Sequence, residues 1–186
     1  MALCRASGNW NWLRAIVADL GSAYTLQGRL EEGCTMLEEA IGESGRTGTS
    51  HAYPLTWLSE VYRLAGRGEE AWQHARQALD LSRQLKERGN EAHALHQLGV
   101  VQAHADSPDV AHAEAHYRQA LALAEELGMR PLQAHCYRGL GTLYRQTGQL
   151  EQARADLSTA IEMYRGMEMM FWLPETEAAL AAVEGQ

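Results

Sequence analysis

Four copies of one apolar pattern run along this chain, anchored by Leu20, Leu58, Leu98 and Leu140 at intervals of 38, 40 and 42 residues. A period of about 20 to 50 residues is the mark of stacked repeats, in which each unit buries its apolar face against the next. The 186 residues are therefore expected to form one continuous array rather than a single globular core. Around the leucines the copies read Leu20-Gly21-x-x-Tyr24, Leu58-Ser59-x-x-Tyr62, Leu98-Gly99-x-x-Gln102 and Leu140-Gly141-x-x-Tyr144. A turn glycine follows at Gly28, Gly66 and Gly148. Small residues come next at Gly33, Ala71, Ala113 and Ala153, and again seven positions later at Ala40, Ala78, Ala120 and Ala160. Leucine, small residue and tyrosine at relative positions 0, 1 and 4 share one face of a first helix, and the later small residues share one face of a second. A glycine inside a helix costs about 1 kcal/mol relative to alanine, so its recurrence requires a packing reason, namely close approach of the neighbouring helix.

The spacing predicts helices over 10–27, 30–41, 51–65, 69–86, 91–105, 108–126, 131–147 and 150–166. Asn90 and Ser107 read as N-caps, Pro108, Pro131 and Pro174 as first-turn prolines, and Gly89 and Gly128 as helix stops. The third hairpin replaces the glycine turn with Asp106-Ser107-Pro108-Asp109, and Glu43 to Ser50 reads as a linker.

These recurring residues resemble the tetratricopeptide repeat (TPR) family, whose pattern runs W-x-x-L-G-x-x-Y, then A-x-x-x-F, A and P. Departures are the longer period, Val17, Leu55, Leu95 and Tyr137 at the tryptophan position, and an aromatic on the second helix only at Tyr117. Long-period variants are similar to those of kinesin light chains, LGN-type polarity adaptors and MalT-type bacterial regulators. The stretch from Leu121 to Leu173 also resembles carboxyl-terminal repeats of bacterial proteins that join a nucleotide cyclase to an ATPase. The resemblance implies an all-α, right-handed superhelical solenoid. Its parts would be a partial repeat over 1–9, repeats over about 10–48, 49–89, 90–129 and 130–168, and a short capping helix over about 174–184, with Leu180 and Val183 on its inner side.

Charge narrows the partners. The chain has 16 Lys plus Arg against 24 Asp plus Glu, a net charge of −8, and Lys86 is its only lysine. Arginines scattered singly among glutamates do not make the basic stripe that nucleic acid or an anionic membrane requires. No stretch approaches about 18 uninterrupted apolar residues, and Met1 to Asn9 lacks a signal-like run, so a cytoplasmic protein is expected. Cys4, Cys34 and Cys136 form no C-x-x-C pair, which suggests neither a zinc site nor a disulfide framework. No phosphate loop, nucleophile elbow or H-E-x-x-H motif is present, so no catalytic residue, cofactor or metal is expected. His93, His96, His112 and His116 have chelating spacings. Ala113, however, must face the hairpin core, which turns His112 and His116 away from it.

In each first helix a second stripe lies roughly 140° from the leucine face. In the first copy it is Ala15, Ala18, Ser22 and Thr25, a set expected to lie outside the core. Its equivalents are Tyr53, Thr56, Glu60 and Arg63, then His93, His96, Val100 and Ala103, then His135, Arg138, Thr142 and Arg145. In the TPR family this stripe lines the concave groove. The resemblance implies a non-catalytic protein-interaction module that holds a peptide or partner domain there, with Arg63, Arg138 and Arg145 as fork donors to an acidic partner. The carboxylate clamp of related chaperone adaptors is missing its asparagines, whose position is filled by Ser22, Glu60, Val100 and Thr142. The alternative is a sensory or regulatory segment of a larger cyclase, ATPase or transcription regulator, binding a peptide or small ligand. Two apolar regions offer further contact: Leu3, Trp10, Trp12 and Leu13, through which a homodimer is expected, and Met170, Phe171 and Trp172. The last three are read either as packing, with Leu173, under the terminal helix or as a docking patch.

Overall fold

The computed structural model describes residues 10–42 and 52–185, with side chains from Ala15 onward. Nine α-helices and no strand are found among the described residues. They are α1 (Trp10–Leu26), α2 (Leu30–Gly42), α3 (Ala52–Leu64), α4 (Gly68–Leu85), α5 (Arg88–Ala103), α6 (Val110–Glu126), α7 (Arg130–Gln146), α8 (Leu150–Gly166) and α9 (Leu173–Glu184). Residues up to Gln97 make one compact unit and residues from Leu98 another, the division falling inside α5. The expected helices are present and the fold is an all-α helical-repeat one. The segments 1–9 and 43–51, which hold the partial repeat and the linker, lie outside the described residues.

Within the first unit α1 pairs with α2 and α3 with α4, while α3 also touches α2 and α1. Its core joins Val17, Ala18, Leu37, Ala40, Leu58 and Val61. Within the second unit α7 pairs with α8, α6 packs on α7, and α9 packs mainly on α8. Tyr117, Leu140, Leu143, Tyr144, Leu157 and Val183 form its main core, and Ala134, Ala160, Ile161, Tyr164 and Leu173 a second cluster.

The small residue after each anchoring leucine is a contact point. A β-carbon on Gly141 would lie 2.7 Å from Leu157 Cγ and 3.0 Å from its backbone nitrogen, and one on Gly99 2.8 Å from Tyr117 Cδ1. At Gly141 the backbones of α7 and α8 approach closely, and at Gly99 the glycine makes room for the Tyr117 ring, so the close approach expected from the sequence is present. In the second hairpin Ser59 takes the place and uses it chemically: it is fully buried and donates its hydroxyl to the Ala71 carbonyl at 2.7 Å. Tyr117 is 1 % exposed, and it fits because a β-carbon at Gly139 as well as at Gly99 would collide with its ring.

Three hairpin turns share one geometry. Gly28, Gly66 and Gly148 sit at φ +76°, +73° and +76°, and the next residue's N–H returns to the tyrosine carbonyl: Arg29 to Tyr24, Arg67 to Tyr62 and Gln149 to Tyr144, at 2.8–2.9 Å. This is the left-handed termination that glycine adopts without a β-carbon penalty. Three local readings are corrected. Gly89 and Asn90 lie within α5, and Lys86, itself left-handed at φ 57°, ends α4. Asp109 rather than Ser107 caps α6, accepting the His112 N–H, because its carboxylate, one residue before the helix, reaches an open N–H of the first turn. Pro108 therefore precedes α6 instead of opening it.

Candidate partner-binding stripe

On α1 the stripe is more covered than its sequence position suggested. Ala18, Ser22 and Thr25 are 3 %, 9 % and 1 % exposed, and only Ala15 is exposed. Thr25 lies against Gly33 of α2, where a β-carbon would come within 2.7 Å of its hydroxyl, and α1 also touches α3, so this face is flanked by two helices. Thr25 resolves its polarity by donating to the Gly21 carbonyl at 2.8 Å.

On α3 the stripe is polar and largely satisfied from within. Tyr53 donates to Asp19 at 3.2 Å and Thr56 to the Ala52 carbonyl at 2.8 Å. Arg63 forks onto Glu60 through Nε and Nη2, each at 2.7 Å. Gln97, buried on α5, adds a 3.0 Å bond to Glu60 and a 3.3 Å bond to Ser59. Burial pushes the Glu60 carboxyl up, but Arg63, Gln97 and nearby His96 outweigh it and hold the group below its ordinary value. Burial pushes His93 down, toward the neutral imidazole. Gln97 and Asp19 were not singled out from sequence. Gln97 stands 38 residues after Ser59, one position short of Leu98, a register that could have flagged it.

In the second unit Val100 is half-buried against the main core, and Ala103 is buried at 6 %. On α7 the stripe divides. Its first half is covered by the segment entering α9: His135 Nδ1 and the Tyr164 hydroxyl are bonded at 2.6 Å, His135 meets Trp172 edge-on at 4.9 Å, and Arg138 lies 4.9 Å over the Trp172 ring while donating to Glu175 at 2.9 Å. Its second half, Thr142 and Arg145, is not. Arg145 is half-buried and its Nε is buried with no hydrogen-bond partner.

Arg130, also on α7, likewise makes no ion pair among the described residues, but most arginines do. Arg29, Arg67, Arg76 and Arg83 pair with Glu32, Glu70, Asp80 and Glu91, and Arg118, Arg154 and Arg165 with Glu114, Glu151 and Glu177. Glu175 and the Glu60 fork were absent from the sequence reading, which treated Arg63 and Arg138 as donors open to a ligand. Threonines behave likewise: Thr25, Thr35, Thr56, Thr147, Thr159 and Thr176 all donate back to a carbonyl three or four residues earlier, whereas Thr142 makes no hydrogen bond of this kind.

The apolar loop before α9 departs from the packed reading. Leu173 is buried, but Met170 and Phe171 are 65 % and 66 % exposed. Met167, Met169 and Trp172 take the inner places instead, because the backbone turns at Glu168, φ 56°. His112 pairs with Asp109 and His116 with Gln102, and no group of three metal-ligating side chains is found among the described residues. The side chains of Leu3, Trp10, Trp12 and Leu13 lie outside the described residues.

Residues 109–166 match the family model of the tetratricopeptide repeat. That segment, which runs from α6 to α8, carries the tetratricopeptide-repeat pattern. Solved structures of the same fold include a signal-transduction ATPase with numerous domains (STAND) that has a TPR sensor, from Pyrococcus horikoshii. It aligns at TM-score 0.67 and 18 % identity over 91 % of this chain and 26 % of its own. BtubC from P. vanneervenii aligns at 0.65 and 22 % over 86 % of this chain and 66 % of its own. The apo form of RapI aligns at 0.65 and 17 % over 92 % and 48 %. This chain thus spans from about a quarter to two thirds of those proteins. No curated protein matches its sequence. TPR proteins generally act as non-catalytic scaffolds that bind other proteins, and no described helix here is long and apolar enough to cross a membrane.

Proposed function

We propose that this TPR protein is a non-catalytic interaction module that holds a peptide or an extended segment of a partner on the exposed stripes of its first helices. In the first unit the stripe is Tyr53, Thr56, Glu60, Arg63, His93 and His96, and in the second Val100, His135, Arg138, Thr142 and Arg145. The observation that supports this most is the state of α7: core formation has consumed its leucine face, yet in its last turn the buried Arg145 Nε has no hydrogen-bond partner among the described residues. Buried donors in native proteins are almost always paired, and one left open points to an acceptor that arrives from outside. An acidic partner suits those donors, and a cytoplasmic location suits the free thiols of Cys34 and Cys136.

The test is site-specific photocrosslinking in cells, with benzoylphenylalanine at Thr56 or Thr142 on the stripes and at Arg76 or Arg154 on second helices. A common protein captured from both stripe positions and not from the second helices is expected. Capture from the second helices alone would place the interface elsewhere. A second reading, a sensory segment within a larger regulator, is favoured by the TPR sensor of the STAND relative, of which this chain spans 26 %. Self-association through Leu3, Trp10, Trp12 and Leu13 remains a proposal of the sequence, checked by light scattering of the Trp12→Ser variant.

A further inference from the structure

We propose that Met170 and Phe171, with Glu168 beside them, form a tip that docks a segment of another protein in which basic residues flank large apolar ones. Chain reversal alone does not need this tip. Three junctions between a second helix and the helix after it start in the same way. Lys86, Gly128 and Glu168 take φ 57°, 67° and 56°. The next residue's N–H then returns to the carbonyl five positions back, Glu87 to Ser82, Met129 to Ala124 and Met169 to Tyr164, at 2.8–2.9 Å. From there the first two junctions enter α5 at Arg88 and α7 at Arg130 directly, whereas α9 begins only at Leu173. Met170, Phe171 and Trp172 are therefore three residues more than the turn requires. Trp172 has a structural use, packing on His135 and Arg138. Met170 and Phe171 have none that burial reveals: they are 65 % and 66 % exposed, while the other exposed large apolar side chains among the described residues lie between 38 % and 46 %.

Charge selects the occupant. From Leu98 to Gln186 twelve Asp and Glu stand against six Arg and no Lys. Two of those arginines are engaged next to the tip, Arg138 by Glu175 and Arg165 by Glu177. Glu168 in the turn and Glu162 near the end of α8 make no ion pair among the described residues. Arg130, whose Nη2 would stand 4.0 Å from a β-carbon on Gly166, is unpaired too, so free carboxylates outnumber free guanidinium groups here. An anionic membrane is repelled by that excess, and a second copy packed by a twofold axis would set Glu168 against its own equivalent. A cationic segment brings the opposite sign. Its apolar side chains would cover the Phe171 ring as an anchor and Met170 as an adaptable, unbranched filler, while its lysines or arginines meet Glu168.

The experiment measures binding of three fluorescent amphipathic peptides to the full chain by anisotropy: one of leucine and lysine, one with glutamine in place of leucine, and one with glutamate in place of lysine. The leucine and lysine peptide is expected to bind about tenfold or more tightly than either of the others. Met170→Ser with Phe171→Ser should remove about tenfold of that affinity and Glu168→Gln about threefold. Leu64→Ser and Glu31→Gln, matched exposed changes on other helices, should alter it less than twofold. Glu168→Gly separates binding from folding: glycine takes the left-handed conformation freely, so the melting temperature should hold or rise while affinity falls as in Glu168→Gln. The proposal is overturned if the glutamine-for-leucine peptide binds as tightly, if the glutamate peptide binds best, if the double tip variant binds unchanged, or if Leu64→Ser weakens binding as much. It is overturned as well by a dimer in light scattering that Phe171→Ser dissociates, which assigns the tip to a second copy. Binding of phosphatidylglycerol vesicles that depends on Phe171 would assign it to a membrane and overturn it equally. All of these readouts are independent of the stripe on the first helices.

Discussion

The second and fourth hairpins are built on the same turn but use its tyrosine in opposite ways. In the second, Arg67 follows the turn glycine, lies 4.4 Å over the Tyr62 ring and bonds to Glu70, closing the hairpin on itself. The first hairpin repeats this with Arg29 at 4.1 Å from Tyr24 and Glu32 as the anion. In the fourth, Gln149 stands where the arginine was, and the ring loses its cation. Tyr144 instead sends its hydroxyl out of the hairpin, donating to Glu114 at 2.8 Å and accepting from Arg118 at 2.8 Å, so α7 is bonded to α6. One repeated residue therefore serves as a latch within a hairpin or as a bond between hairpins. The residue five positions later decides which.

The largest effect should come from the ring that only the second unit has at its position. Tyr117 is the second-helix aromatic, and its counterparts are Leu37, Ala75 and Leu157. Tyr117→Ala should cost about 3 to 5 kcal/mol in chemical denaturation, because Gly99 and Gly139 cannot refill the space, whereas Ala75→Gly should cost only about 1 kcal/mol from backbone effects. Equal losses would mean that the ring is not the key to the second unit's core.

Next is the small residue beside the anchoring leucine. Gly141→Leu would drive a side chain into Leu157 and its backbone, an overpacking penalty of about 1 to 3 kcal/mol. Ser59→Ala should cost about 1 kcal/mol through the lost bond to Ala71. A Gly141→Leu protein with an unchanged melting temperature would contradict the helix contact at that point.

The tyrosine comparison is sharpened by removing hydroxyls. Tyr144→Phe should destabilise by about 1 kcal/mol, since it breaks two bonds to charged groups that are partly solvated. Arg67→Ala should cost less, about 0.5 kcal/mol for an exposed cation–π and ion pair. If Arg67→Ala proves the costlier change, the division between latch and inter-hairpin bond is wrong.

The smallest effect concerns pH in the first unit. His93 is pushed below its ordinary value by burial, and His74 likewise by burial against the pull of Glu38 and Glu70. A folded-state value below the unfolded one means that the unfolded chain binds more protons. Stability is then fully present above about 6.5 and falls as pH drops through the folded values. His93→Gln should flatten melting temperature against pH below about 6.5, and an unchanged slope would show that His93 is not responsible.

The leucine register, the glycine contacts and the helix order were legible in the sequence because they repeat. Four copies of Leu-small-x-x-Tyr/Gln constrain one another, as single motifs do not. The site was legible only as a face. Spacing placed Arg63, Arg138 and Arg145 on equivalent positions, and no spacing rule distinguishes an arginine whose charge is already matched by Glu60 or Glu175 from one left open. Glu175 lies 37 residues beyond Arg138, outside the repeat, so periodicity said nothing of it. Met170 and Phe171 stay open between packing and exposure in the sequence for a related reason. Hydrophobicity marks burial on average, but the left-handed turn at Glu168 rotates these two side chains outward and Met169 inward, and that conformation at a non-glycine residue has no sequence signature.

The central claim is that the end of the α7 stripe is kept open for a partner at some expense to folding, and Arg145→Met tests it most directly. Methionine keeps the unbranched stem and removes the unsatisfied donor. The account predicts a melting temperature equal to or above that of the unmodified protein, together with loss of the partner captured from Thr142, as is common when a functional group is removed from a binding site. A melting temperature lowered by the equivalent of about 1 kcal/mol or more, with capture from Thr142 intact, would show that Arg145 serves the fold and that the stripe is not held for a partner.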